Sequence, residues 1–534
     1  MRRVGRAWVA WLAVASALCV PPAAAVPPGG AMSRPDSTGR SLVLVQRPWP
    51  ALLQVTIQFH QGALADPVGQ EGRAVLCWDA ALRAGGGRDH ATFAAALDGL
   101  GAKIDADVGQ STTRVTVAGL SEHADAMMAL LADAVLRPTF AASDVDEVRA
   151  QRLAELADRA DDDDATAAEG VVRYAWRGSP LARPLDGTPA SVQRLKVEDC
   201  RAAHGAILGK VAVDIGIAGA ITRKDAEALV RKHLGGLGNP SAAPHGVPKP
   251  PPGDGRRLLI LDHPSQSAAQ VALALRTPGA RDPAGTAISV GDALLAGAFT
   301  SRLSQQVREL RGWTYSIHSN WAAGANHGLW ILQWAPRNAV VAKSIDLVVR
   351  HLEIAAAEGA TRKEVDFARD YLRGSQRHAL ETAEADVAAR LRSRALGLPV
   401  DWIDGFEARL DAVDRKQVGA AMARTFAADD VVVVVVGDAA RLRPSLEKMA
   451  SGFAIEVLPR EAAPEATTMA GRKPVRTVAR PDTRPRHDES EDQGPAFDDS
   501  GEAVDPPPAS TETDDEPGAE DEGDDDADDP GETP

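Results

Sequence analysis

The chain has 534 residues, 44% hydrophobic and 25% charged, proportions ordinary for a globular protein. Its formal net charge of −16 is concentrated at one end: from Pro481 onward stand 22 acidic residues against two arginines, leaving 53 acidic and 57 basic residues elsewhere. A body that close to neutral suggests neither nucleic acid nor an anionic surface as a partner, and the length allows about three domains of 150 residues each.

The chain opens with Arg2, Arg3 and Arg6, an apolar run from Ala7 to Val20, then prolines and Ala23-Ala24-Ala25. That order is a secretory leader cut after Ala25, which predicts export to the periplasm or outside the cell. The run is short for a bilayer and no later stretch is longer, so no membrane anchor is expected. Cys19 follows the bulky Leu18, which argues against lipoprotein processing. Only Cys77 and Cys200 lie beyond the leader; an oxidising compartment permits a bridge, but one pair in so long a chain is no disulfide framework. Two unpaired, buried thiols are the expectation.

Residues 26–40 form a flexible lead-in. Two blocks of about 200 residues follow, 41–238 and 258–459, joined by the proline-rich 239–257. The blocks repeat each other. "QVTIQFHQGALADPVG" begins at Gln54 and "QVALALRTPGARDPAG" at Gln270, and the aspartates of their D-P-x-G turns are Asp66 and Asp282. Each is an alternating strand and a turn that opens a helix. The block ends, "LKVEDCRAAHGAILGKVAVDIGIAG" and "LDAVDRKQVGAAMARTFAADDVVVVVVG", agree as helix, buried strand and glycine. The pattern predicts a duplicated α+β domain, each copy a mostly antiparallel sheet with helices on one face. Residues 460–534 lose all apolar periodicity and read as a disordered acidic tail, a solvating segment without a partner.

In the first block, "GRAVLCWDAALRAGGG" is apolar almost throughout yet carries Trp78 beside Asp79, a carboxylate that must be met by something. Together with "LDGLGAKIDADVGQSTTRVTVAGL" and "SRLSQQVRELRGWTYSI", the block openings resemble the insulinase/pitrilysin family of zinc peptidases, in particular its mitochondrial-processing-peptidase branch, over residues 41–458. In active members of that family the helix after the D-P-x-G turn carries HxxEH, two zinc-binding histidines with a glutamate that activates water. By that resemblance the three positions are Val75, Trp78 and Asp79 here, and Glu155 stands where the family's third ligand is expected. Valine and tryptophan cannot ligate a metal, and two carboxylates are too few ligands. The resemblance therefore implies a non-catalytic member with no zinc of its own, and Glu155 reads as a solvated or salt-bridged helix residue. None of the 12 histidines forms another HxxEH or HxxxH.

The second block keeps Arg311-Gly312-Trp313-Thr314-Tyr315, which matches the family's R-G-x-x-Y pattern. In active members such a pair donates hydrogen bonds to the substrate carbonyl as it becomes an oxyanion. The competing reading is a helix-to-strand junction, with Arg311 capping carbonyls and Tyr315 packed in the sheet. "KIDADVGQSTTRVTVAG" contains a candidate sheet edge for capturing extended peptides, although two interior strands are the ordinary reading of any single residue of it.

Two functions follow from the resemblance. In the first, the chain is the subunit of a heterodimeric zinc peptidase that supplies Arg311, Tyr315 and half the chamber, with zinc on a homologous partner and a peptide or unfolded polypeptide as substrate. In the second, it is a structural or peptide-binding scaffold without turnover. A lone metallopeptidase is not supported, because three of the four groups it needs are absent.

Overall fold

The apolar run Leu42–Val45 and the alternation from Leu53 to Phe59 make two strands whose apolar side chains have somewhere to go only if a sheet forms. The computed structural model describes residues 31–32, 41–237 and 248–460. The expected leader, nearly all of the lead-in, residues 239–247 of the connector and the tail beyond Arg460 lie outside the described residues. No described helix is long and apolar enough to cross a membrane.

The first sheet holds β1 (Ala31–Met32), β2 (Ser41–Gln46), β3 (Leu52–Phe59), β4 (Lys103–Val108), β5 (Thr113–Leu120) and β6 (Val213–Gly219) in the order β1-β2-β6-β3-β5-β4. The second holds β7 (Arg257–Asp262), β8 (Gln270–Pro278), β9 (Ile317–Ala323), β10 (His327–Trp334), β11 (Val432–Gly437) and β12 (Ala454–Pro459) in the order β12-β7-β11-β8-β10-β9. Leaving out the outermost β1 and β12, the two orders are the same. The repeat seen at Gln54 and Gln270 is thus a repeat of topology. Both sheets are mostly antiparallel; the parallel pairs are β2–β6, β7–β11 and β7–β12. The segment read as two interior strands is half edge: β5 is interior, whereas β4 pairs only with β5 and ends the sheet.

Helices cover one face of each sheet, as expected. The opposite faces are also partly covered, and the covering helices are exchanged. The Asp163–Ala175 helix lies between β5 and β6 of the first sheet in sequence but packs Val171 and Tyr174 on Leu259, Leu261, Val432 and Val434 of the second sheet. Reciprocally, the Ala383–Ala395 helix lays Val387 and Leu391 on Val43, Val45 and Ala218 of the first. One sheet's apolar back face is finished by the other block's helix, a burial that neither block achieves alone.

The prediction of unpaired thiols fails. Cys77 and Cys200 form a disulfide, with Cα atoms 4.9 Å apart and a sequence separation of 123. The reason is packing: the Arg73–Ala81 and Val197–Ile207 helices lie against each other, and both cysteines point into their shared, buried seam. Helix pairing of that range leaves no trace in local sequence periodicity.

Candidate functional site

The degenerate motif begins with the D-P-x-G turn. Asp66, buried at the start of that turn, accepts the Ala74 amide on both carboxylate oxygens at 3.1 and 3.2 Å and so caps the Arg73–Ala81 helix. Burial pushes the Asp66 carboxyl up to about 6, against the lowering effect of the Ala74 amide and of Arg73 and Arg183. Gly72 ahead of the helix has φ +85°, and a Cβ there would meet the Asp186 carbonyl oxygen at 2.4 Å, so the entry is built for glycine.

Within this helix Val75 and Trp78 are buried, and the Trp78 ring packs 5.0 Å from that of Phe59 on β3. The Trp78 Nε1 is buried without a hydrogen-bond partner among the described residues. From Ala74 onward the helix is apolar except for Asp79, and the structure shows what meets that carboxylate. Arg152, on the Ala142–Asp161 helix, donates Nε to Asp79 Oδ2 at 2.7 Å, with Nη2 on the same oxygen. Arg152 Nη1 goes to Glu155 Oε2 at 2.6 Å, and Glu155 Oε1 takes Gln151 Nε2 at 2.9 Å. Asp79 and Glu155, 76 positions apart, are therefore brought together, but through a guanidinium. Burial raises the Asp79 carboxyl above its ordinary range; Arg152 pulls it down, and the nearby charges of Glu155 and Asp186 push it up again.

Zinc does not fit these residues. Val75 has no donor atom, the Trp78 indole offers no lone pair in its plane, and both remaining carboxylates are engaged by Arg152. Among the described residues no group of three or more His, Cys, Asp or Glu is placed to hold a metal. The void behind the helix, lined by Asp66, Arg73, Cys77, Trp78, Phe140 and His204, measures about 20 Å³, too little for any substrate.

The C-terminal block is open where the first is closed. The Gly285–Asp292 helix continues as a π-helical turn, Ala293–Gly297, and a second π-helical turn spans Ser304–Glu309 before the loop to β9. Such wide turns recur at functional sites. Here they frame a cleft of about 650 Å³ lined by Phe299, Arg308, Glu309, Tyr315, His318 and Tyr371. Phe299 and Tyr315 are 72% and 95% exposed. No hydrogen bond among the described residues occupies the Tyr315 hydroxyl, so the reading of Tyr315 as a packed sheet residue does not hold. The buried Thr314 fixes the loop beneath it, donating to the Ser316 carbonyl at 2.8 Å and accepting the Ala335 amide at 3.2 Å.

Arg311 turns elsewhere. Its Nη1 donates to the carbonyl and side-chain oxygens of Gln306 at 2.9 and 2.7 Å, and its guanidinium lies 5.5 Å from the Trp313 ring. The arginine that shares the cleft with Tyr315 is Arg308, which sits 3.6 Å over the Phe299 ring and pairs with Glu309. Reading the sequence missed Arg308 because R-G-x-x-Y draws the eye to the residue beside the glycine. The π-helical turn is what delivers the earlier arginine. No hydrogen bond or ion pair among the described residues joins the Asp79–Arg152–Glu155 group to Arg311 or Tyr315.

Comparison with known proteins places this geometry. Residues 43–189 match the family model described as Insulinase (Peptidase family M16), and residues 194–372 that of the Peptidase M16 inactive domain. The chain belongs to the M16 insulinase family. It is 27% identical over 332 residues to an uncharacterized zinc protease of Mycobacterium leprae, spanning 61% of this chain and 74% of that one. It is 23% identical over 320 residues to the non-peptidase homolog YmxG of Helicobacter pylori, spanning 58% and 71%. A crystal structure of a peptidase M16 inactive domain from Pseudomonas fluorescens superposes with a TM-score of 0.69 at 24% identity, covering 76% of this chain and 98% of that one. Within the M16 family this chain is a peptidase homologue whose zinc-motif positions carry no zinc-binding set.

Proposed function

We propose that this M16 chain is exported and serves as the subunit of a two-chain zinc peptidase that supplies the substrate cleft, with the metal on a homologous partner. The observation that carries the reading is the asymmetry between blocks: the motif helix is closed by Val75, Trp78 and Arg152, while Tyr315 stands free at a cleft of about 650 Å³. A phenol and a fixed cation are the donors a developing oxyanion needs. Tyr315 is the phenol; the cation is an arginine of the preceding turn, Arg308 in the cleft or Arg311 beside it. The β4 edge offers unpaired backbone groups to an extended peptide. The Cys77–Cys200 bridge supports an oxidising compartment and hence export. Zinc and its activated water would come from the partner, and this chain's residues bind and orient the peptide.

The test is reconstitution. The purified chain is mixed with a zinc-bearing homologue of the same organism and an unfolded polypeptide, as wild type and as Tyr315→Phe. Cleavage should require both chains and fall on the order of 10²-fold in the variant, the usual cost of one oxyanion donor. Equal cleavage with either version, or by the homologue alone, would reject the catalytic role and leave a peptide-binding scaffold.

A further inference from the structure

We infer that the Arg152 guanidinium is the resident cation of the degenerate metal position, clamping Asp79 to Glu155 across two helices and closing that place to a divalent ion. The inference rests on the mismatch between the family's metal and this chain's residues, and is independent of any role for Tyr315.

Three observations carry it. First, the guanidinium does for both carboxylates what a metal would do for its ligands: Nε reaches Asp79 at 2.7 Å and Nη1 reaches Glu155 at 2.6 Å, from one planar group. Second, the clamp is partly shielded, with side-chain exposures of 24% for Arg152, 25% for Asp79 and 39% for Glu155. Without the cation, Asp79 would face Glu155 with Asp186 adding to the repulsion, while Asp186 itself is tied to Arg159. Third, the clamp joins the Arg73–Ala81 helix to the Ala142–Asp161 helix, and the disulfide at Cys77 joins the same first helix to Val197–Ile207. The motif helix is thus tied to these two neighbouring helices by an ionic and a covalent link, neither of which needs a metal. An arginine keeps its charge throughout the physiological range, so the clamp holds for as long as Asp79 and Glu155 stay ionised, and chelation does not release it.

The consequence is specific. Restoring the family's ligands alone does not restore a metal site, because a zinc ion would have to enter beside a fixed positive charge that already holds Glu155. The experiment compares V75H/W78E/D79H with the same triple variant carrying R152L, in the full chain. Zinc per chain is measured after gel filtration, and folding is followed by circular dichroism. The triple variant should retain no stoichiometric zinc, and the quadruple variant one equivalent. One equivalent in the triple variant would overturn the inference, as would a folded quadruple variant that takes up none.

Should these crowded variants fail to fold, a coupling measurement decides the same point. Arg152→Met keeps the apolar stem and removes the cation. It should lower Tm, and adding Asp79→Asn should recover part of that loss, although Asp79→Asn alone lowers Tm. If the effect of Asp79→Asn is the same in both backgrounds, Arg152 is not the cation of this site.

Discussion

Gly216 on β6 lies directly against Val387 of the exchanged helix: a Cβ on the glycine would sit 2.4 Å from the valine Cγ1 and 2.8 Å from Leu391 Cδ1. The absence of a side chain is what lets the second block's helix reach the first block's sheet. Its counterpart, Gly170 on the other exchanged helix, stands 3.2 Å from Val434 and 3.4 Å from Leu261 by the same construction, a looser fit. Gly216→Val should therefore destabilise the protein by about 1–3 kcal/mol, the usual cost of overpacking a filled core. Gly170→Ala should cost less. Chemical denaturation of both variants checks the order, and a Gly216→Val protein as stable as wild type would show that the helix does not dock as described.

The exchange is lined with polar contacts as well as apolar ones. Asp214, buried at the start of β6, accepts from His60 Nε2 at 2.7 Å and from Arg394 Nη2 of the exchanged helix at 3.1 Å. In the second block the equivalent place is filled by Arg276, which donates Nε to Asp430 at 3.0 Å. Burial alone would raise the Asp214 carboxyl, but His60 and Arg394 bring it below its ordinary range. Arg394→Met leaves a buried carboxylate with one partner fewer, and its destabilisation should exceed that of a surface charge loss, at about 2 kcal/mol or more. Urea denaturation at pH 7 measures it, and a change within about 0.5 kcal/mol would remove Arg394 from the account.

Reduction supplies the next prediction. The disulfide joins residues 123 positions apart, so breaking it should cost about 2–5 kcal/mol through the freedom returned to the unfolded chain. Urea midpoints with and without dithiothreitol test this, with Cys200→Ser as the genetic equivalent. Thiol titration of the denatured, unreduced protein should find neither Cys77 nor Cys200 free. Finding both would return the chain to the two-thiol expectation.

Asp66 predicts a pH dependence whose sign is opposite to that of most paired carboxylates. Its carboxyl is held up at about 6 by burial, against 3.8 for an unperturbed aspartate. Between those values the unfolded chain has released the proton and the folded one retains it. Stability from this group is complete below about pH 4 and declines as pH rises through 6, by at most about 3 kcal/mol. Asp66→Asn keeps an oxygen for the Ala74 amide and cannot ionise. Its stability should be flatter than wild type between pH 4 and 7, and parallel curves would show that Asp66 does not titrate in that window.

How much of this was legible in the sequence depends on range. The duplication was readable because Gln54 and Gln270, and Asp66 and Asp282, sit in strands and turns whose periodicity is local. Both sheets carry the same strand order in consequence. The loss of the zinc motif was readable because Val75 and Trp78 have no donor chemistry in any context. The partner of Asp79 was not readable: Arg152 lies 73 residues away, on a helix rich in acidic and basic residues where no single arginine stands out. The disulfide and the exchanged helices failed for the same reason, since their apolar faces look alike whichever sheet they cover. Arg308 was hidden by geometry, because a π-helical turn shifts which residue faces the cleft.

That shift gives the last prediction. If an arginine acts with Tyr315 on a substrate carbonyl, the cleft position favours Arg308, whose guanidinium already lies among the lining residues over Phe299. Arg311 is occupied by Gln306 and stacked near Trp313, contacts that brace the loop. In the reconstituted two-chain assay, Arg308→Ala should lower kcat on the order of 10²-fold, as Tyr315→Phe does, and the double variant should cost little more than either alone because the two act as a unit. Arg311→Ala should act on stability, lowering Tm while leaving kcat within about threefold, the size of an effect worth less than 1 kcal/mol. The reverse pattern, with kcat lost at Arg311 and kept at Arg308, would assign the cation to the residue beside Gly312 and require the loop to turn Arg311 inward when peptide binds.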